Sequence, residues 1–291
     1  MNKTESNPSK VYALFYSFFL IPFMIAVFGG LFFYLFLFMT NEKNTPIDLL
    51  DNIQSGSATR RWTSAFELSN MLDQSKIDNR ELFNSRLVDL YQKSKYETDP
   101  RLRTYLALAM GKTEDPYFGE FLVNGINEDI NISNKIAAIQ SIGMLRYEDG
   151  CNVLKKTIEE SSNNSEILAS IVSLGVIGNS VHKGTLLDML NHDEPNIRWD
   201  SAIALAKMSD NSGAYIIEYL LDRNYYKNFP SKSDGSGLTL EEIDYSIYTA
   251  MKISQLLLEP KFKDELIYLS KNDKNIKIRE FALKTLNEYY K

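Results

Sequence analysis

The sequence holds one cysteine, Cys151, and two histidines, His182 and His192, in 291 residues. A lone cysteine excludes a disulfide within the chain and any multi-cysteine zinc site. Neither histidine is followed by glutamate, and His182, Asp188, His192 and Asp193 match no metal-ligand spacing. No glycine-rich phosphate loop is present: Gly175-Val-Ile-Gly178 closes a helical segment and Gly29-Gly30 lies in an apolar run. Excess basic charge is missing as well. The net charge is −6, and setting aside Lys3, Lys10 and Glu5 leaves −7 on the remainder. A nucleic-acid binder needs a basic stripe to neutralise phosphates, and adhesion to anionic lipid needs the same sign of charge. Cys151 opens a helical segment, where thiol pKa values fall, but no histidine stands near it in sequence; packing is its expected role. The expectation is a chain with no catalytic activity, no cofactor and no metal.

One stretch lacks charge altogether. Val11 to Met39 contains no Asp, Glu, Lys or Arg, and 25 of its 29 residues are hydrophobic, the exceptions being Ser17, Pro22, Gly29 and Gly30. A helix crosses the apolar core in roughly 20 residues, so this run suffices for one crossing, with tilt or a kink at Pro22 taking up the surplus. A cleaved signal peptide would have an apolar stretch of about 7–15 residues and a small-residue cleavage site. This stretch is longer, and Phe38-Met39-Thr40-Asn41 is no such site. A retained single-pass anchor in the inner (cytoplasmic) membrane is expected. Lys and Arg are nearly balanced on its two flanks, and the lone cysteine favours a cytoplasmic C-terminal part.

The rest repeats. Arg103-Thr-Tyr-Leu-Ala107-Leu-Ala-Met-Gly111 aligns with Lys135-Ile-Ala-Ala-Ile139-Gln-Ser-Ile-Gly143, with Ile167-Leu-Ala-Ser-Ile171-Val-Ser-Leu-Gly175, and with Arg198-Trp-Asp-Ser-Ala202-Ile-Ala-Leu-Ala206. Each unit reads as two helices. The first ends on glycine, which adopts positive φ freely; after a polar turn the second shows apolar residues three and four apart, as in Phe118, Phe121, Leu122 and Ile126. A lone helix pair cannot bury both faces, so stacking into an α-solenoid follows. Asp78-Asn-Arg-Glu81 and Thr239-Leu-Glu-Glu242 read as capping boxes, and Thr45-Pro46 as a helix start that Ser55-Gly56 stops. Leu240 to Leu258 reads as one longer helix, followed by helices at about 262–270 and 276–289.

This pattern resembles the HEAT repeat in the short bacterial form seen in phycobilisome-lyase-like proteins. The carrying residues are Asp99-Pro-Arg-Leu-Arg103 with Ala107 and Gly111, Glu194-Pro-Asn-Ile-Arg198 with Ala202, and Asn275-Ile-Lys-Ile-Arg279 with Ala282. The resemblance implies helix pairs opened by an acidic or turn residue, with the arginine stacking along the array. It does not extend to the His-Glu pairs of HEAT-repeat di-iron hydroxylases, nor to the basic groove of HEAT-type DNA glycosylases. The expected organisation is an N-terminal tail at 1–10, a transmembrane anchor at 11–40, a linker with a short helix at 41–56, and a HEAT-like solenoid at 57–291 with a loop insertion at about 223–238.

Solenoids offer long, shallow surfaces, so a protein partner is expected. Arg61-Trp62 and Arg198-Trp199 share one repeat position that elsewhere holds Thr104, Ile136, Leu168 or Glu280. That variety argues against a fixed core site, and Trp with Arg is the composition of interface hot spots. Tyr225, Tyr226 and Phe229 lie in the long interruption, giving with the two Arg-Trp pairs the candidate contact residues. The run Arg60-Arg-Trp-x-x-Ala-Phe-Glu-Leu-Ser69 is similar to that of bacterial membrane-anchored HEAT proteins associated with ABC-type transporters, which implies an integral membrane complex as partner. The rival readings are a bilin-lyase-like protein holding a tetrapyrrole and a self-associating structural domain.

Overall fold

The computed structural model describes residues 16–40, 44–72, 77–229 and 237–291. The tail at 1–10 and the start of the uncharged run lie outside the described residues. Two compact units are present, Met1–Thr45 and Pro46–Lys291. In the first, helix α1 (Ile21–Thr40) follows a π-helical turn at Tyr16–Leu20. Pro22 has no N–H to give the preceding turn, so the bonding pattern changes just ahead of it. The span Phe18–Phe36, 19 residues, is long and apolar enough to cross a membrane, and none of it is buried.

The second unit is all α among the described residues. Its helices are α2 (Pro46–Ser55), α3 (Ala58–Met71), α4 (Arg80–Lys93), α5 (Pro100–Lys112), α6 (Gly119–Glu128), α7 (Ile132–Leu145) and α8 (Cys151–Glu160). Then follow α9 (Asn164–Ile177), α10 (Lys183–Met189), α11 (Pro195–Lys207), α12 (Ala214–Leu221), α13 (Leu240–Leu257), α14 (Phe262–Asn272) and α15 (Ile276–Tyr289). They alternate between two layers. The odd-numbered helices α3 to α15 pack side by side in chain order, and the even-numbered ones line up behind them. The short helix expected in the linker belongs to this stack. Leu49, Leu50 and Ile53 of α2 are fully buried against α3 and α4, so the unit begins at Pro46, ahead of residue 57.

Capping chemistry sets the start of the odd helices. Ser57, Asp99, Asn131, Asn163, Thr239 and Asn275 each accept a backbone N–H of the first turn through their side chain. Thr239 and Glu242 form the full reciprocal box. At α4 the cap is Asn79, which accepts from Leu82 N at 3.2 Å, one residue later than the box read at Asp78. Glutamate at position 81 cannot close a box on a cap at 79, so the single Asn bond suffices.

The repeat glycines have a different cause from the one the sequence suggests. Gly111, Gly143 and Gly175 lie inside their helices, not at left-handed ends; the only positive-φ glycine among the described residues is Gly178. What they need is space. A Cβ on Gly111 would stand 2.8 Å from Ser141 Cα, one on Gly143 2.7 Å from Ser173 Oγ, and one on Gly175 2.7 Å from Ala204 Cβ. Neighbouring odd helices thus touch backbone to backbone. Ser141 Oγ donates across the seam to Ala107 O at 2.8 Å, and Ser173 Oγ to Ile139 O at 3.0 Å.

The repeat arginine holds the two layers together. It is the fourth residue after the cap, and it reaches back to carbonyls at the end of the preceding even helix or in the turn that follows it. Arg61 Nε donates to Ile53 O at 2.8 Å, Arg198 Nη1 to His192 O at 2.6 Å, and Arg279 Nη1 to Asp273 O at 2.6 Å. Arg103 donates to Tyr91 O and to Asp129 Oδ2, the latter at 2.7 Å, with both side chains of that ion pair buried. A cation at a helix C-terminus satisfies orphan carbonyls and meets the negative end of the dipole. The stacking role implied for this arginine is therefore a bracket to the helix end behind it.

Gly175→Ala should lower stability by about 1–2 kcal/mol net, since overpacking exceeds the gain in helix propensity. A urea midpoint equal to or above wild type would contradict the close approach. Arg103→Ala strands Asp129 in the interior, and a loss of about 3–5 kcal/mol is expected. A change within experimental error in the same denaturation would show that the pair is not buried in solution.

Candidate partner-binding surface

The odd helices are covered by their neighbours and by the even layer on all but one face. The second, fifth, sixth and ninth residues after each cap form that remaining face. Its ninth position reads Phe66, Leu108, Gln140, Val172, Ile203, Tyr248 and Lys284 along the stack. Phe66 and Val172 are exposed, while Leu108, Ile203 and Tyr248 are half-buried. Aromatic pairs bridge the seams: Phe66 meets Tyr105 at 5.1 Å and Tyr248 meets Phe281 at 4.4 Å between ring centroids. The result is a shallow apolar band crossing the repeats, suited to a polypeptide rather than to an enclosed small molecule.

The sequence-predicted contact residues fall into two groups. Arg61 and Arg198 are brackets, as described above; Arg61 also pairs with Glu97 at 2.6 Å. Trp62 lies on the open face, half-buried, with the Arg101 guanidinium 4.1 Å above its ring. Trp199, in contrast, is only 7% exposed, so the position varies from buried at Trp199 to exposed at Glu280, and the surface-contact role expected of Trp199 is what its burial corrects. Its Nε1 donates to Tyr225 Oη at 3.2 Å, and its ring sits edge-on to Tyr225, Tyr226 and Phe229. Tyr226 is 3% exposed and donates to Leu220 O at 2.9 Å. The aromatic loop therefore folds inward as a plug on Trp199. Residues 225–228 form a 3-10 turn, and the structure brings Trp199, Tyr225, Tyr226 and Phe229 together while leaving Arg61 and Trp62 in another seam. Nothing in the spacing announced this, because the plug is assembled from residues 26 apart or more.

Cys151 is 1% exposed, and burial pushes its thiol up to about 11, with Glu148 and Asp149 acting in the same direction. That environment suits packing and opposes thiolate chemistry. His192 Nδ1 accepts the backbone N–H of Glu194 at 3.1 Å, a local turn bond. Among the described residues no group of three or more His, Cys, Asp and Glu is placed to hold a metal ion.

The face also carries a residue that sequence reasoning missed. Asp200 lines a cleft between α11 and α13 with Leu168, Trp199, Leu238, Glu241 and Tyr245. Burial pushes its carboxyl up to about 6, and Lys207 on the same helix pulls it only partly back. Its signal was available: it is the sixth residue after the cap, where other repeats hold Thr63, Tyr105, Ala137, Ala169, Tyr245 and Phe281.

No protein-family model and no curated protein matches this chain. Solved structures do. A chain from the complex of CpcE and CpcF of phycocyanin lyase from Nostoc sp. PCC7120 superposes with a TM-score of 0.56 at 17% identity, covering 86% of this chain and 90% of that one. YibA of E. coli superposes at 0.47 with 13% identity over 88% of this chain and 96% of that one. A designed armadillo repeat protein gives 0.40 at 12% identity over 84% and 99%. The fold is a HEAT-like α-solenoid. At these identities the likeness carries the architecture, the two-layer stack of α2 to α15, and nothing about chemistry.

A carboxyl whose proton is held more tightly in the folded state costs stability when it ionises. Below about pH 4 Asp200 is protonated in both states; as pH rises to about 6 the unfolded chain ionises first and the fold loses stability; above about 6 the loss is complete. Asp200→Asn should therefore stabilise the protein by about 2 kcal/mol at pH 7.5, with the gain shrinking towards pH 4.5. A variant less stable than wild type at pH 7.5 would show that the carboxylate has a favourable partner.

Proposed function

We propose that this chain is a membrane-anchored, non-catalytic adaptor whose solenoid holds a protein partner at the inner (cytoplasmic) membrane. The observation that carries this reading is the open face of the odd helices, an apolar and aromatic band that runs across successive repeats and is open to solvent along its length. Bands of this kind gain affinity by covering many side chains at once. The anchor reading rests on α1, whose 20 residues give a length of about 30 Å, the thickness of the hydrocarbon core. Its unburied aromatic surface has a natural solvent in lipid. The partner class is an integral membrane complex, with an ABC-type transporter favoured by the Arg60–Ser69 run. The solenoid stands on the cytoplasmic side.

A second reading is favoured by the fold likeness to the CpcE–CpcF chain, a component of a phycocyanin lyase complex: a lyase-type role in which the solenoid holds a tetrapyrrole. Against it stands the lining of the cleft between α11 and α13, where Asp200, Glu241 and Glu242 would oppose the carboxylates of a tetrapyrrole.

Purification of the full chain from its native membranes in mild detergent should recover a stoichiometric integral membrane protein. Recovery of the chain alone, or of a soluble chain that never sediments with membranes, would overturn the adaptor reading. An absorbance shift on adding a bilin to the purified chain would favour the lyase-type role instead.

A further inference from the structure

The array contains an internal comparison at its two tryptophans. Trp62 and Trp199 are both the fifth residue after a helix cap, Ser57 and Glu194. In the seam between α3 and α5, the Trp62 ring is covered by Arg101, the second residue after the next cap, Asp99. In the seam between α11 and α13, the second residue after the next cap, Thr239, is Glu241. The internal cation of the first seam is thus replaced by an acid in the later one. The sixth position changes in the same direction, from Thr63 to Asp200.

The later seam is also open. The glycine notch that draws odd helices together at positions 111, 143 and 175 is Ala206 on α11, and α13 packs on α11 more loosely than the earlier odd helices pack on each other. The gap is a cleft of about 690 Å³. Trp199, Leu168 and Tyr245 supply apolar wall, Asp200, Glu241 and Glu242 supply negative charge, and among the described residues no Lys or Arg lines it. Among the described residues none gives Asp200 a hydrogen bond or an ion pair. A half-buried carboxylate without a partner is costly, and a cation that reaches it gains both the charge-assisted bond and the aromatic wall.

We propose that this cleft seats an arginine or lysine side chain on an extended basic segment of the partner protein, supplying to Asp200 and Glu241 from outside a cation of the kind that Arg101 supplies within the first seam. This assignment rests on the adaptor reading and names the partner chemistry of one part of its open face. Glu242 is already engaged in the α13 cap, where it accepts from Thr239 N at 2.7 Å, so Asp200 and Glu241 are the recognising carboxylates.

The test uses the full chain in detergent carrying Trp62→Phe, which leaves Trp199 as the only tryptophan. The probe is acetyl-Gly-Arg-Gly-Arg-Gly amide, compared with the same peptide bearing neutral citrulline for arginine. A saturable change in Trp199 emission is expected with the arginine peptide, with at least about tenfold weaker binding of the citrulline peptide. Asp200→Asn with Glu241→Gln should weaken the arginine peptide by about tenfold or more without loss of helical circular dichroism. Equal binding of the two peptides, or full binding by the double variant, would overturn the assignment. If Trp62→Phe fails to fold, calorimetric titration of the unmodified chain and of the double variant reads the same difference. Loss of the native membrane partner from the double variant supports the assignment, and its full retention overturns the cleft while the adaptor reading stands. Arginine-selective binding with no native partner recovered overturns the adaptor reading alone.

Discussion

The contact on which the architecture depends is the backbone approach of α5, α7, α9 and α11. At Gly111, Gly143 and Gly175 the absent Cβ lets the next helix bring Ser141, Ser173 or Ala204 against bare backbone. Two of these seams are then locked by a serine hydroxyl bonded to a carbonyl of the preceding helix. Close packing of this kind is intolerant of added volume, because interiors have no spare space to absorb a methyl group. It also fixes the spacing of the odd layer, and through it the positions of everything that projects from the open face.

A second constraint ties the layers to each other. The arginine four residues after the cap turns back to carbonyls at the end of the even helix behind it or in the turn that follows that helix. Arg61, Arg103, Arg198 and Arg279 all do this, by slightly different atoms, and Arg61 and Arg103 add an acidic partner, Glu97 and Asp129. At α7 the position is Lys135, paired with Glu166 at 3.7 Å, and at α9 it is Ile167, so the bracket is optional where packing already holds the turn. Near α13 the position is Ile243, and Arg223 from the preceding loop bonds Asp244 and Asp273 at 2.6 Å each. The task of joining layers is kept even where the repeat is interrupted.

The interruption is where regularity gives way to individuality. The tight seam ends at Ala206, α12 closes at Leu221 and α13 opens at Leu240, and the aromatic plug of Tyr225, Tyr226 and Phe229 closes over Trp199. The same break that buries Trp199 leaves beside it the cleft that Asp200 lines. A repeat protein acquires a specific feature most readily at such a break, because a change there leaves the neighbouring interfaces intact.

The sequence by itself determined the helix pairs, their order, most of their caps and the solenoid they build. Those features are local or periodic, and a four-unit repeat states them several times over. It also determined the uncharged run and the surplus of acid. Only the tertiary structure decided why the repeat glycines are glycines, since Gly111 near a helix end and Gly111 facing Ser141 read identically along the chain. Only it decided that Trp199 is a buried anchor while Trp62 stays on the open face beneath Arg101, because the loop at 225–229 folds onto one ring and the next helix brings an arginine to the other. Asp200 is legible along the chain as an acid where other repeats hold Thr, Ala or an aromatic, but not as a carboxyl without a partner. Its meaning is set by the partners it lacks, and a missing partner is a property of three dimensions.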